Sequence, residues 1–367
     1  MRLRISLPSF SKALSTVPSK RTPFPTAVQE LTSFLRDGRP NITILTGAGV
    51  STDSAIPDYR GENGTYTLNP DYKPVFYQAF VRSDDARHRY WARSFLGFPP
   101  VMTTQPNPTH YALAALQAQQ TSSTHQPGQD QDHTHKDHLG YVRTLITQNV
   151  DGLHQKAGTK DIIELHGTLH RVKCMSCGHE RDRSEFQQIL ADLNPNWNEM
   201  IQSNTTSSLY SRMNADGDVE LNTAGQQDLH SKNLRQRILD YHTFQYPTCS
   251  NCGSGHYKPS VVFFGENVPK AVKERSMQTV LEADGLLVVG TSLATYSAFR
   301  LVKLAKDAGI PIALINLGYS RGDALADLRY DESSTHLLKA VANELGLGEI
   351  PGLVKKHFQH TLNVIGS

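Results

Sequence analysis

Four short apolar runs, each stopped by glycines or small polar residues, constrain this chain more than any other feature. Ile42–Leu45 precedes Thr46-Gly47-Ala48-Gly49, and Leu145-Ile146 precedes Thr147-Gln148-Asn149-Val150-Asp151. Leu286–Val289 precedes Gly290-Thr291-Ser292, and Ile312–Ile315 precedes Asn316-Leu317-Gly318. Between the last two runs, Ala298, Leu301, Val302, Leu304 and Ala305 recur at helical spacing and are followed by Gly309, which makes a strand, helix, strand unit. This pattern predicts an α/β protein with a doubly wound, Rossmann-like parallel sheet. Such sheets bind ligands beyond the carboxyl ends of their strands, where all four polar clusters fall. A single Gly-Thr-Ser would be an ordinary turn, but recurrence after successive core strands points to a nucleotide site.

The four cysteines, Cys174, Cys177, Cys249 and Cys252, form two Cys-x-x-Cys pairs with none left over. Two such pairs read as a closed tetrahedral thiolate site for one structural zinc ion. The long separation between the pairs implies an inserted segment, and disulfide bonding is the rival reading. The organisation expected is a leader over 1–26, a Rossmann-like domain over 27–169 and 259–350, and a zinc module with a polar insertion over 170–258. Apolar residues at Val28, Leu31, Phe34 and Leu35 predict a helix over 27–36 that Gly38 ends. Residues 117–140, rich in Gln, Ser, Thr and His, and residues 203–228 read as mobile surface loops.

Hydrophobic residues make up 38% of the 367, enough for a sizeable core, and no apolar run approaches the roughly 18 residues that a membrane span requires. A soluble protein is expected. The formal net charge of +2 is too balanced to suggest direct binding of nucleic acid. Residues 1–21 nevertheless carry Arg2, Arg4, Lys12, Lys20 and Arg21 with no Asp or Glu, which reads as a mitochondrial presequence; an ordinary basic tail is the alternative. The Gly47-Ala48-Gly49 turn suits a pyrophosphate, but the third glycine of a G-x-G-x-x-G fingerprint is replaced by Thr52, and no acidic residue caps a second strand about 20 residues on, so a dehydrogenase fits poorly.

Extended from Gly47 through Pro57-Asp58-Tyr59-Arg60, the sequence resembles the sirtuin family. Further matches are Thr147-Gln148-Asn149-Val150-Asp151-Gly152-Leu153-His154, Glu164-Leu165-His166-Gly167, the cysteine pairs, Val261-Val262-Phe263-Phe264-Gly265-Glu266, Gly290-Thr291-Ser292-Leu293 and Ile315-Asn316. They occur in the family's order over about residues 27–345. Pro57-Asp58-Tyr59-Arg60, Arg89-Tyr90-Trp91-Ala92-Arg93 and Gln105-Pro106-Asn107-Pro108 resemble the class II, mitochondrial, sirtuin-4-like branch. The resemblance implies a location in the mitochondrial matrix. It also implies NAD-dependent removal of an acyl group from protein lysine, releasing nicotinamide and an O-acyl-ADP-ribose.

That chemistry needs a base for a ribose hydroxyl near neutral pH, for which histidine is suited. His166 follows the apolar Ile162–Leu165 run at a loop that Gly167 lets turn, and it is the expected base; His154 and His170 are its neighbouring rivals. The resemblance places Asn149 with His166 in catalysis, and Gln148, Asn149 and Asp151 on the ribose and nicotinamide side. It places Ile56 and Asp58, beside Tyr59, at nicotinamide, Arg60 at the ribose-phosphate portion, and Gly47, Ala48 and Gly49 at the phosphates. Gly290, Thr291, Ser292, Asn316 and Gly318 would surround adenosine, and Ser334 would touch adenine. Val262, Phe264, Gly265 and Glu266 would take the acyl-lysine peptide as an added strand, with Phe263 turned to the core.

Three departures stand out. Ala55 replaces a glycine, and Tyr59 replaces the phenylalanine typical of deacetylases. Tyr66 is followed three residues on by Asn69 rather than the arginine of acidic-acyl sirtuins, so a succinyl or malonyl chain lacks its countercharge. Mono-ADP-ribosyl transfer to protein, through the same NAD site, is the second reading, and a silent NAD- and zinc-binding scaffold the third.

Overall fold

The computed structural model describes residues 21–37, 41–70, 72–118, 140–203, 213–219 and 241–350. The expected leader up to Lys20, Gly38 and most of the 117–140 insertion lie outside the described residues.

The main sheet contains β1 (Ile42–Thr46), β2 (Val142–Thr147), β3 (Ile162–Glu164), β7 (Gly285–Val289), β8 (Ile312–Ile315) and β9 (Leu328–Tyr330). All its pairings are parallel, in the order β3-β2-β1-β7-β8-β9. Counted within this sheet alone, that is the Rossmann order 3-2-1-4-5-6, whose direction reverses between β1 and β7.

Both faces are covered, which explains why the strands read as continuous apolar runs rather than as alternation. Ile44, Leu287, Val289, Ala313 and Ile315 pack on one side with the helices Phe24–Arg36, Pro108–Gln117 and Ser334–Glu344. Leu45, Leu286, Val288, Ile312 and Leu314 pack on the other with the helix Tyr296–Asp307. Ala298, Leu301, Val302 and Ala305 are its fully buried stripe, as the spacing predicts. The first helix starts at Phe24, inside the expected leader, because Pro23 sits at its N-cap and Pro25 falls in the first turn, where proline costs no hydrogen bond.

A second, antiparallel sheet pairs β5 (Glu180–Asp182), β4 (Gly167–Cys174) and β6 (Tyr257–Val261). β4 and β6 run past the expected boundaries at 170 and 258 towards the main sheet. Its apolar side shares one core with the helix Asp84–Thr103: Trp91, Phe95, Val172, Phe186, Phe244 and Tyr257 are all buried together. That helix, assigned from sequence to the large domain, packs with the small one.

Candidate active site

The turns after β1 and β7 meet at the sheet's switch point. Gly49 N donates to Gly290 O at 2.9 Å, and Gly47 N to Val289 O at 3.2 Å. A Cβ on Gly47 would stand 2.6 Å from Thr291 Cβ, and one on Gly49 would stand 2.8 Å from Gly290 O. The contact that requires both glycines is therefore with the neighbouring loop. Gly290 itself has φ +59.

Gln148, at the end of β2, is held on three sides: Nε2 donates to Thr46 O (3.1 Å) and Thr291 Oγ1 (2.9 Å), and Oε1 accepts from Thr295 Oγ1 (3.2 Å). Asn149 Nδ2 donates to Ser51 Oγ at 3.1 Å, and Ser51 donates to Asp151 Oδ2 at 2.7 Å. Asp151 Oδ1 also accepts from Leu153 N at 2.9 Å, which ties the loop to the start of the short helix Leu153–Lys156. Burial pushes its pKa up, against the opposing effect of the Leu153 and Ser51 bonds. The expected trio thus meets, but Asp151 is buried and supports the loop from beneath.

His166 lies between β3 and β4, partly buried. Its Nδ1 is 3.2 Å from Gln148 O, and its Nε2 is 2.7 Å from Ser297 Oγ. Burial pulls its pKa down to about 4, Arg300 pulls the same way, and the Gln148 carbonyl opposes them. The ring is neutral at pH 7, as a general base must be. The two rivals are structural. His154 is buried against Thr46 Oγ1 (3.0 Å) and is pushed down to about 3 by burial. His170 Nε2 donates to Asp151 O at 2.9 Å, and it lies so close to Gly152 that a Cβ there would come within 2.4 Å.

Of the nicotinamide-side residues, Ile56 is buried and follows Ala55, which sits at φ +63. Asp58 Oδ1 accepts from Gly61 N at 2.8 Å and shapes the next turn, and exposed Arg60 lies over the Tyr66 ring, 5.2 Å from its centroid. Tyr59 donates to Asp216 Oδ1 at 2.7 Å, and Tyr72 donates to the same carboxylate. Asp216 belongs to the polar insertion read as a mobile surface loop. Its described part, residues 213–219, is instead docked on the site side of the helix Asp84–Thr103, where buried Asp218 pairs with fully buried Arg93 at 2.9 Å. A polar sequence hid this, because only Met213 and Val219 enter the apolar core beside the helix and the other partners are a guanidinium and two phenols.

On the adenosine side, Asn316 Nδ2 folds onto Leu317 O and Gly318 O, and Gly318, at φ +74, donates to Asp331 Oδ1 at 2.9 Å. Ser292 O accepts from Arg321 N at 3.0 Å. Ser334 Oγ is 3.1 Å from Thr109 Oγ1. Residues 262–266 are not a strand. Val262 N donates to His166 O (2.8 Å), Phe264 bridges Phe76, and Glu266 closes the turn by accepting from Phe263 N (2.9 Å). Gly265 has φ +79. Phe263 is in the core while Val262 and Phe264 stay partly exposed, which is the alternation expected.

The four cysteine sulfurs lie within 4.8 Å of one another, and no disulfide joins them. Cys174–Cys252 and Cys177–Cys249 are 3.8 and 3.7 Å apart. A tetrahedron with metal–sulfur bonds of about 2.3 Å has edges of about 3.8 Å, so the donor set fits a thiophilic ion.

The chain matches the Sir2 family profile over residues 47–138 and 134–297. It is 42% identical over 325 residues to the Batrachochytrium dendrobatidis protein named NAD-dependent protein deacylase SIR4, covering 87% of this chain and 94% of that one. It is 37% identical to the bovine NAD-dependent protein lipoamidase sirtuin-4, mitochondrial, with 86% of each chain covered. A solved structure reported under the heading "Structural Basis for the Mechanism and Regulation of Sir2 Enzymes" superposes with a TM-score of 0.58 at 26% identity, covering 87% of this chain and 98% of that one. This chain belongs to the Sir2, or sirtuin, family.

Proposed function

We propose that this chain is an NAD-dependent protein-lysine deacylase whose general base is His166. The observation that carries the reading is the His166 imidazole held 3.2 Å from the Gln148 carbonyl at the carboxyl ends of a 3-2-1-4-5-6 sheet. The donor set there suits a dinucleotide: amide and hydroxyl side chains at three strand ends and backbone turns on both sides of the switch point.

When bound, NAD supplies an electrophilic ribose carbon, nicotinamide as leaving group, and the ADP-ribose that accepts the acyl group. Gln148 and Asn149 hold its ribose and nicotinamide, with Asp151 bracing their loop through Ser51 and Leu153, and Ile56, Asp58 and Tyr59 form the nicotinamide pocket. Gly47, Ala48 and Gly49 lie against the phosphates, with Arg60 near the ribose-phosphate portion. Gly290, Thr291, Ser292, Asn316, Gly318 and Ser334 surround the adenosine. Val262 and Phe264 wall the acyl-lysine, whose peptide runs beside Gly265 and Glu266. These residues hold two weakly reactive groups together, and much of the rate comes from that positioning. His166 then takes a ribose hydroxyl proton at Nε2.

Cys174, Cys177, Cys249 and Cys252 bind one zinc ion, which takes no part in the reaction because four sulfurs close its coordination. The basic leader and the mitochondrial bovine relative support a matrix location. The test is mass spectrometry of the protein incubated with NAD and lysine peptides bearing acetyl, longer aliphatic, lipoyl, branched acidic and succinyl groups. The reading expects deacylated peptide and O-acyl-ADP-ribose, both lost in His166→Ala. A mass gain of ADP-ribose on protein without deacylation would replace it with mono-ADP-ribosyl transfer. No nicotinamide release with any peptide would leave a silent scaffold.

A further inference from the structure

The start of the helix Tyr296–Asp307 closes a ring of hydrogen bonds around the base. Thr295, its N-cap, donates to Gln148 Oε1 at 3.2 Å; the Gln148 carbonyl is 3.2 Å from His166 Nδ1; and His166 Nε2 is 2.7 Å from Ser297 Oγ. A carbonyl can only accept, so Nδ1 carries the ring proton and Nε2 offers a lone pair. The Ser297 hydroxyl must then donate to that lone pair.

A threonine N-cap ordinarily accepts from the amides of its own first turn, which is worth about 1 kcal/mol. Thr295 makes no such bond. Its hydroxyl serves Gln148 instead, and that of Ser297, two residues on, serves His166. The helix forgoes a cap to grip both the expected cofactor-binding glutamine and the base.

Resting on the deacylase reading above, we propose that Ser297 is the positioning residue of the general base, fixing the plane of the His166 ring and keeping its basic nitrogen at Nε2. Nε2 has a single lone pair, so Ser297 holds it in the ligand-free protein and yields it to the ribose hydroxyl, whose proton the ring then takes without having to change tautomer or plane. The charge acting on His166 is that of Arg300, one turn further along the same helix.

The test compares wild type, Ser297→Ala and Ser297→Thr in the full chain. Nitrogen NMR of the ligand-free protein reads the imidazole directly. The wild type should show Nδ1 protonated and Nε2 hydrogen-bonded; Ser297→Ala should move Nε2 to the free lone-pair position, and Ser297→Thr should restore it. Nicotinamide leaves before the base acts, so labelled-nicotinamide exchange measures the step ahead of it. The ratio of acyl transfer to exchange should fall about tenfold in Ser297→Ala, a part of what a general base contributes, and recover in Ser297→Thr. The proposal is overturned by an Nε2 resonance unchanged in Ser297→Ala, by protonation at Nε2 in the wild type, or by exchange and transfer falling together. A wild type that releases no nicotinamide would defeat the deacylase reading alone, since the NMR result stands without it.

Discussion

At the scale of single residues, chemistry that looked interchangeable in the sequence is sorted by surroundings. His154, His166 and His170 are three similar imidazoles within 17 positions, yet only His166 combines partial exposure with a lone pair facing a hydroxyl at the strand ends. Its depressed pKa has a signed consequence: the base is competent above about pH 4 and is lost below it, in place of the usual histidine limb near pH 6.5. A profile of acyl-transfer kcat/KM against pH checks this, and an acid limb near pH 6.5 would contradict it. Ala55 was visible in the sequence as a missing glycine, and the backbone supplies the reason, for φ is +63 there. Ala55→Gly relieves a left-handed alanine and should stabilise the fold by about 1 kcal/mol, less glycine's entropic cost, in urea denaturation. A midpoint that falls would show that the loop tolerates the alanine without strain.

At the scale of elements, the insertion from the zinc module carries the largest surprise. Fully buried Arg93 meets Asp218 at 2.9 Å, and its guanidinium lies over the Tyr72 ring, while Asp216 gathers Tyr59 and Tyr72. Removing one partner strands a charge in the interior, so Asp218→Ala should cost about 3–5 kcal/mol, far more than an exposed carboxylate would. Equilibrium unfolding decides this, and a loss below about 1 kcal/mol would place the segment in solvent. Tyr59 was legible as a departure from the deacetylase pattern. Its partner was not, because nothing in a polar stretch some 150 residues away encodes which phenol it will meet.

At the scale of the whole molecule, the two sheets are joined by continuous strands. β4 begins next to His166 and ends at Cys174, about 23 Å away at an extended rise per residue, so the cysteine quartet and the proposed base lie at opposite ends of one element. Stripping the ion with a chelator, or Cys252→Ser, should lower the melting temperature by several degrees and weaken acyl transfer with it; zinc should restore the chelated wild type but not the variant. A metal-free protein that melts unchanged would refute the structural role. The sequence alone determined the parallel sheet, the strand ends that carry the polar clusters, the cysteine quartet and the place of His166 in the loop after β3. These follow from local periodicity and spacing, which survive in one dimension. Only the tertiary structure decided the strand order that creates the switch point, the loop-to-loop contact that demands Gly47 and Gly49, the docking of 213–219, and the Ser297 hydroxyl on the base. Each depends on side chains distant in sequence arriving within a few ångströms, a matter of packing that no local pattern records.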